Sequence, residues 1–142
     1  MMRYQILLLL ITLFASSCDR DKYVPQITLE EIGPDQVVSL EDSIYMRIGF
    51  YDKDGDLGEN FTDDRNLFVV DDRLNLAHEF RISNIVPGGA EVPIQGSLEW
   101  TIPSIYITNG NASQKVSYSI YVVDRAGNQS NTLETPQITI TE

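Results

Sequence analysis

Apolar and polar residues alternate with a period of two along most of the chain. The clearest case is the segment 43–51, in which every second position is apolar: Ile44, Met46, Ile48 and Phe50. Side chains two positions apart lie on the same face of a β-strand, whereas a helix distributes them around its axis. The pattern therefore predicts a strand with one buried face.

Six further segments carry a comparable pattern, and turn residues such as Gly33-Pro34 separate them. These segments are residues 24–32, 66–72, 77–86, 96–102, 114–124 and 135–141. Short strands at this spacing are typical of a β-sandwich. No stretch after residue 23 has helical periodicity, so we predict an all-β domain of about seven strands over residues 24–142.

The segment 118–128 resembles part of a known class of domain. Tyr118, Ile120 and Val122 alternate ahead of Asp124, and the turn residues Gly127-Asn128 follow. This pattern resembles the penultimate strand and following hairpin of immunoglobulin-like and fibronectin-like modules of bacterial surface proteins. The resemblance implies an immunoglobulin-like β-sandwich, although a fold of this kind does not define a function.

The first 17 residues have the pattern of an export signal. Arg3 precedes a nine-residue, mostly apolar stretch, 6–14, and the small residues 15–17 follow it. A membrane-spanning helix needs roughly 20 apolar residues, so this stretch is too short to be one. A positive flank and a small-residue exit are typical of a signal peptide, which we predict over residues 1–17.

The single cysteine, Cys18, directly follows these small residues. The segment 13–18 resembles the lipobox of bacterial lipoproteins, with Ala15 where the usual pattern has leucine. The resemblance implies a lipidated Cys18, a short tether over residues 18–23 and membrane attachment through the acyl chains. The charged residues 19–22 resemble the tract of surface lipoproteins of the Bacteroidetes, which implies an outer-membrane or cell-surface location. The alternative is an ordinary secretory cleavage that leaves a free thiol.

An acidic segment, residues 52–64, separates two of the predicted strands. Asp52, Asp54 and Asp56 occupy alternate positions in it, and two glycines allow the backbone to turn tightly. The segment is similar to the calcium loops of many extracellular modules. It is not an EF-hand, because the glycine is misplaced and strands rather than helices flank it. The candidate ligands of this segment all offer oxygen atoms, which favours Ca²⁺ over Zn²⁺.

Two further regions could supply calcium ligands. Asp63 or Asp64 returns at the far end of the acidic segment, and Asp124 follows the penultimate strand. In an immunoglobulin-like sandwich the loops after the second and the penultimate strands lie at the same end. We therefore expect a weakly bound structural calcium ion. The alternatives are a solvated acidic turn and, for Asp124, a local turn with Asn128. The expected ligands are Asp52, Asp54, Asp56, Asp63 and Asp124.

Composition limits the possible functions. The formal charge of −11 argues against nucleic-acid binding, which needs basic patches. One histidine, no spare thiol and no Gly-x-Ser-x-Gly motif argue against an enzyme. We expect a non-catalytic, lipid-anchored cell-envelope protein that acts as a binding or adhesion module or as an accessory subunit of a surface complex. Its protein or glycan partner is not defined by the sequence.

An alternative function is glycan binding, in an accessory lipoprotein of polysaccharide uptake. Aromatic side chains can stack on sugar rings, and the candidates for such a platform are Trp100, Tyr45, Tyr51, Tyr106 and Tyr121. Aromatic residues are also favoured in strands for packing, so sheet packing is the competing interpretation of all five.

Overall fold

The protein, as described by a computed structural model, is built of β-strands. The structure describes residues 23–59, 61–86 and 90–142, which contain no α-helix. The predicted signal peptide, Cys18 and the tether up to residue 22 lie outside the described residues. Within the described ranges, no helix is long and apolar enough to cross a membrane. The prediction of an all-β fold is confirmed.

The described part of the chain contains ten strands. They are β1 (Gln26–Gly33), β2 (Gln36–Val38), β3 (Ile44–Asp52), β4 (Leu67–Asp71), β5 (Leu76–Phe80), β6 (Ile94–Ile102), β7 (Ser113–Val116), β8 (Tyr118–Val122), β9 (Leu133–Glu134) and β10 (Ile138–Thr141). Each of the seven predicted segments overlaps at least one of these strands. The segment 114–124 is divided into β7 and β8, and the short strands β2 and β9 were not predicted.

The segment 77–86 differs from its prediction as a single strand, because β5 ends at Phe80. The side chain of Asn66 takes over the hydrogen bonding there. Its Oδ1 accepts from the Ile82 N–H at 2.6 Å, and its Nδ2 donates to the Ile82 carbonyl at 3.3 Å. Ile82 is buried, and its backbone is held by the Asn66 side chain and by the Glu59 N–H, which donates to the Ile82 carbonyl at 2.9 Å, rather than by a neighbouring strand.

The strands form three sheets. Their orders are β1-β3-β6, β2-β10-β7 and β5-β4-β8-β9. Neighbouring strands are antiparallel except for β2 and β10, which are parallel. Only Ser117 separates β7 from β8, so the second and third sheets share one nearly continuous length of chain.

One hydrophobic core receives side chains from all three sheets. Strand β3 shows the predicted alternation, since Ile44, Met46 and Ile48 are fully buried and Tyr45 and Arg47 are half-buried. The other fully buried core side chains come from every part of the fold: Val37, Leu57, Val69, Ile102, Val116, Tyr118, Ile120, Val122, Ile138 and Ile140. In β3, β4 and β8 the period-two alternation buries one face of the strand, and these faces meet in the core.

The start of the described chain and the acidic segment lie at the same end of the domain. Gln26, the first residue of β1, pairs with Tyr51, next to the end of β3. The Lys53 ammonium lies 5.9 Å from the ring centroid of Tyr23. The chain therefore enters the domain beside the acidic segment.

Candidate metal centre

Three aspartates at and just beyond the end of strand β3 bring their carboxylates together. Asp52, Asp54 and Asp56 each offer one oxygen, and these oxygens all lie within 4.8 Å of one another. The Oδ1 atom of each residue is shielded from solvent and has no hydrogen-bond partner in the protein. A buried carboxylate oxygen without a partner is costly, and three together repel one another. A cation among them would remove both penalties.

The backbone of the acidic segment folds back on Asp52. This residue ends β3 and is fully buried, and its Oδ2 accepts a hydrogen bond of 2.8 Å from the Leu57 N–H. Leu57 is itself fully buried in the core. The apolar side chain therefore ties the loop to the core, and the Leu57 N–H ties it to Asp52.

Two glycines allow this path. Gly55 and Gly58 have φ angles of 73° and 96°, in the left-handed region that other residues rarely adopt. A Cβ atom on Gly55 would collide with the carbonyl oxygen of Val92, and one on Gly58 with that of Ser83. Both positions therefore need glycine for conformation and for space.

The local electrostatics disfavour ionised carboxylates in the absence of a cation. Burial, together with the close approach of Asp54, raises the pKa of Asp52 to about 6, and the hydrogen bond from Leu57 opposes the change. Burial also raises the pKa of Asp56, and the negative charges of Asp124 and Asp54 raise it further. A divalent cation would reverse these preferences, because it stabilises the ionised form.

The turn after strand β8 packs against the acidic segment, as the sequence predicted. The Ala126 N–H donates to Oδ2 of Asp56 at 3.1 Å, and the Arg125 N–H donates to the Asp56 carbonyl at 3.3 Å. The Arg125 guanidinium donates to the Gly58 carbonyl at 2.9 Å. The two loops therefore form one structural unit around the aspartates.

Asp124 lies in this unit, but its carboxylate is used locally. Its Oδ1 accepts from the Asn128 N–H at 2.7 Å, and its Oδ2 accepts from Asn128 Nδ2 at 2.8 Å. The structure thus shows the local turn that was the alternative interpretation. Asp124 acts on the cluster through its charge, which raises the pKa of Asp56.

The far end of the acidic segment lies apart from the three aspartates. The side chain of Asp63 is fully exposed and lies 3.7 Å from Arg81. Asp64 is exposed as well, and its Oδ2 accepts from Oγ1 of Thr62 at 2.8 Å. The structure therefore does not bring either residue into the cluster.

Several residues that shape the site were not found from the sequence. Ser83 and Val92 contribute backbone carbonyls that lie against the glycines, and Ala126 contributes an N–H. Every residue carries these groups, so no sequence pattern could mark them.

The aromatic residues considered for sugar stacking occupy different environments. Trp100 is only 9% exposed and its ring centroid lies 6.0 Å from that of Phe80, whereas Tyr106 is 47% exposed. Trp100 therefore serves the core rather than the surface.

No protein-family model, curated protein or solved structure matches the chain.

Proposed function

We propose that the protein is a non-catalytic, lipid-anchored cell-envelope protein whose β-domain is stabilised by a structural calcium ion. The observation that carries the metal assignment is the set of three buried carboxylate oxygens without partners, on Asp52, Asp54 and Asp56. Calcium takes six to eight oxygens, so backbone carbonyls and water complete its shell. Asp63 and Asp124 are not needed as direct ligands in this arrangement.

The strand pairing supports an immunoglobulin-like sandwich as the fold. Strands β1, β3 and β6 form one sheet, and the last strand, β10, pairs with β2 and β7. Strand β8 continues β7 and pairs with β4. In the proposed sandwich, β1-β3-β6 is one layer and the remaining strands form the other.

The position of the first described residues supports a proposal for which end of the anchored domain faces the membrane. Tyr23 lies beside Lys53 of the acidic segment, and Cys18 precedes it by five residues. Five residues span at most about 18 Å. In the proposal the metal end therefore faces the membrane, and the opposite end, with the turns near Asp71 and Gly110, is free to bind a partner or join a surface complex.

Unfolding with and without calcium tests the metal assignment. A ligand that binds only the folded state stabilises it by about 2.7 kcal/mol at 100 times its dissociation constant. We expect thermal unfolding of the full-length protein to shift upward by several degrees in calcium relative to chelator. Magnesium should shift it less, because it demands stricter octahedral geometry. Coincident unfolding curves in calcium and chelator would refute the assignment.

Metabolic labelling with palmitate tests the anchor separately. The wild-type protein should incorporate the label and fractionate with membranes, and a Cys18→Ala variant should do neither. Labelling that persists in Cys18→Ala would exclude Cys18 as the lipidated residue. It would not bear on the calcium assignment.

A further inference from the structure

A groove of about 450 Å³ lies on the outward face of the sheet β1-β3-β6. Its side chains belong to two rows that cross the three strands. In these rows Gly49 pairs with Thr28 and Ser97, and Tyr51 pairs with Gln26 and Gln95. We propose that this groove binds a neutral glycan.

Gly49 lies at the floor of the groove, beneath the side chains of Thr28 and Glu30. It lies in the interior of the central strand, where glycine weakens a sheet. Its φ is not in the left-handed region, so the backbone conformation does not require glycine. A Cβ atom here would lie 2.8 Å from Oγ1 of Thr28 and 2.8 Å from Oε1 of Glu30. Glycine therefore lets these two polar side chains lie close over the central strand, where they line the groove.

The polar groups of the groove suit a ligand rich in hydroxyls. Gln26 and Gln95 carry amides, and Thr28 and Ser97 carry hydroxyls, so the lining offers both donors and acceptors. The tyrosine between the two amides, Tyr51, is 45% exposed. An exposed aromatic ring stacks on the apolar C–H face of a sugar, while neighbouring amides bond its hydroxyls.

The charge of the groove favours a neutral ligand. Among the described residues that line it, Glu30 carries the one carboxylate, and this is paired with Arg47, whose Nε lies 2.9 Å from Oε2. The same set of lining residues contains no cation to hold a phosphate or a sulfate and no unpaired carboxylate to hold a basic peptide. Neutral sugars match this lining.

The dimensions fit a chain of sugars. The volume falls within the range of about 300–1,000 Å³ that is usual for ligand sites, and three strands at about 4.8 Å spacing make a floor about 10 Å wide. The groove is open to solvent rather than enclosed. An internal stretch of an oligosaccharide can therefore lie along it with its two ends extending into solvent.

This inference deepens the proposed role as a binding module, and it requires neither the calcium ion nor the lipid. Its test uses full-length protein purified in an oxyethylene detergent, since sugar-based detergents would compete. Cello-, xylo-, manno- and malto-hexaose are the probes, on an array and then by isothermal titration calorimetry. We expect at least one hexaose to bind, and no binding by any of the four would overturn the proposal.

Three variants locate the binding in the groove. Tyr51→Ala removes the stacking ring, and Gly49→Val displaces Thr28 and Glu30 from their positions over the central strand, so each should weaken binding by about tenfold. Tyr45→Ala is the matched control, because Tyr45 shares the face and the strand but bonds Glu99 outside the groove. It should bind like wild type. Equal binding by Tyr51→Ala and wild type would overturn the proposal, whatever the folding of Gly49→Val.

The calcium response distinguishes this inference from the proposed function. A protein that shifts its unfolding temperature with calcium but binds none of the hexaoses refutes the groove alone. A protein that binds a hexaose equally in calcium and in chelator, without any shift, supports the groove and refutes the metal site.

Discussion

Asp56 and Ala126 connect two loops that lie 70 residues apart in the sequence, through the 3.1 Å hydrogen bond from the Ala126 N–H to Oδ2 of Asp56. Asp56 also belongs to the cluster that begins with Asp52 at the end of β3. A cation bound by the cluster would hold the loop after β3 against the turn after β8. Its release should therefore weaken the whole domain rather than one loop.

The effect of calcium should depend on Asp54 and not on Asp63. Asp54 contributes a buried oxygen to the cluster, whereas Asp63 is fully exposed. We expect Asp54→Asn to lose most of the calcium-induced rise in unfolding temperature and Asp63→Asn to retain it. Differential scanning calorimetry with calcium and with chelator measures both. Loss of the response in Asp63→Asn would show that the far end of the segment closes over the ion.

The long strands could be predicted from the sequence because burial alternates along them. In β8, Tyr118, Ile120 and Val122 are all fully buried, and the residues between them are half-buried. Strands β2 and β9 have only three and two residues, too few to show an alternation. Strand β2 depends on pairing with β10, at the other end of the described chain, and β9 depends on pairing with β8, the strand before it.

The candidate site was predictable only in part, for a related reason. The spacing of Asp52, Asp54 and Asp56 is local, so the sequence displays it directly. The surroundings of Asp63 and Asp124 depend on where distant segments pack. For Asp124 two interpretations were open, and only the three-dimensional arrangement shows both of its oxygens bonded to Asn128.

Metal-free protein should lose the contribution of Asp52 to stability as pH rises. The pKa of Asp52 is about 6 in the folded protein against an ordinary value of 3.8, so the folded state holds the proton more tightly. The contribution is fully present below the ordinary value and is lost as pH rises through the folded value. Relative to Asp52→Asn, wild type should become less stable by about 1–3 kcal/mol between about pH 4 and pH 7.

Urea unfolding of both proteins after removal of metal measures this difference. Asparagine keeps an oxygen for the Leu57 N–H, so the comparison isolates the charge. Saturating calcium should reverse the order at neutral pH, because the ion needs the carboxylate. If, without metal, the wild type instead became more stable than Asp52→Asn as pH rises, ionised Asp52 would not be destabilising in the folded protein. That result would contradict the prediction.

Replacement of Gly58 by alanine should damage both stability and the calcium response. Its φ of 96° disfavours a side chain, and the added Cβ would collide with the Ser83 carbonyl. We expect a loss of about 2–4 kcal/mol in the free energy of unfolding. Gly110→Ala is the control, since Gly110 has φ 72° and open space around its Cβ position. It should cost about 1 kcal/mol, and equal costs for the two variants would mean that the packing of the acidic segment on Ser83 adds nothing.

The ion pair between Arg73 and Asp71 should contribute far more than the pair between Arg47 and Glu30. The first pair is buried, with side chains 10% and 5% exposed, and Asp71 accepts from the guanidinium at 2.6 Å and 3.0 Å. Arg73→Met leaves a buried carboxylate without its cation, which costs about 3–5 kcal/mol. Arg47→Met breaks a pair that is 43% and 32% exposed, and exposed pairs contribute about 0–1 kcal/mol.

A double variant separates the cost of the unpaired charge from the loss of packing. A buried pair can be replaced by apolar residues at little cost, because both desolvation penalties disappear together. We therefore expect Asp71→Leu combined with Arg73→Met to unfold at a higher urea concentration than Arg73→Met alone. If the double variant is the less stable of the two, Asp71 contributes more through its hydrogen bond from the Arg73 N–H, at 2.9 Å, than its unpaired charge costs.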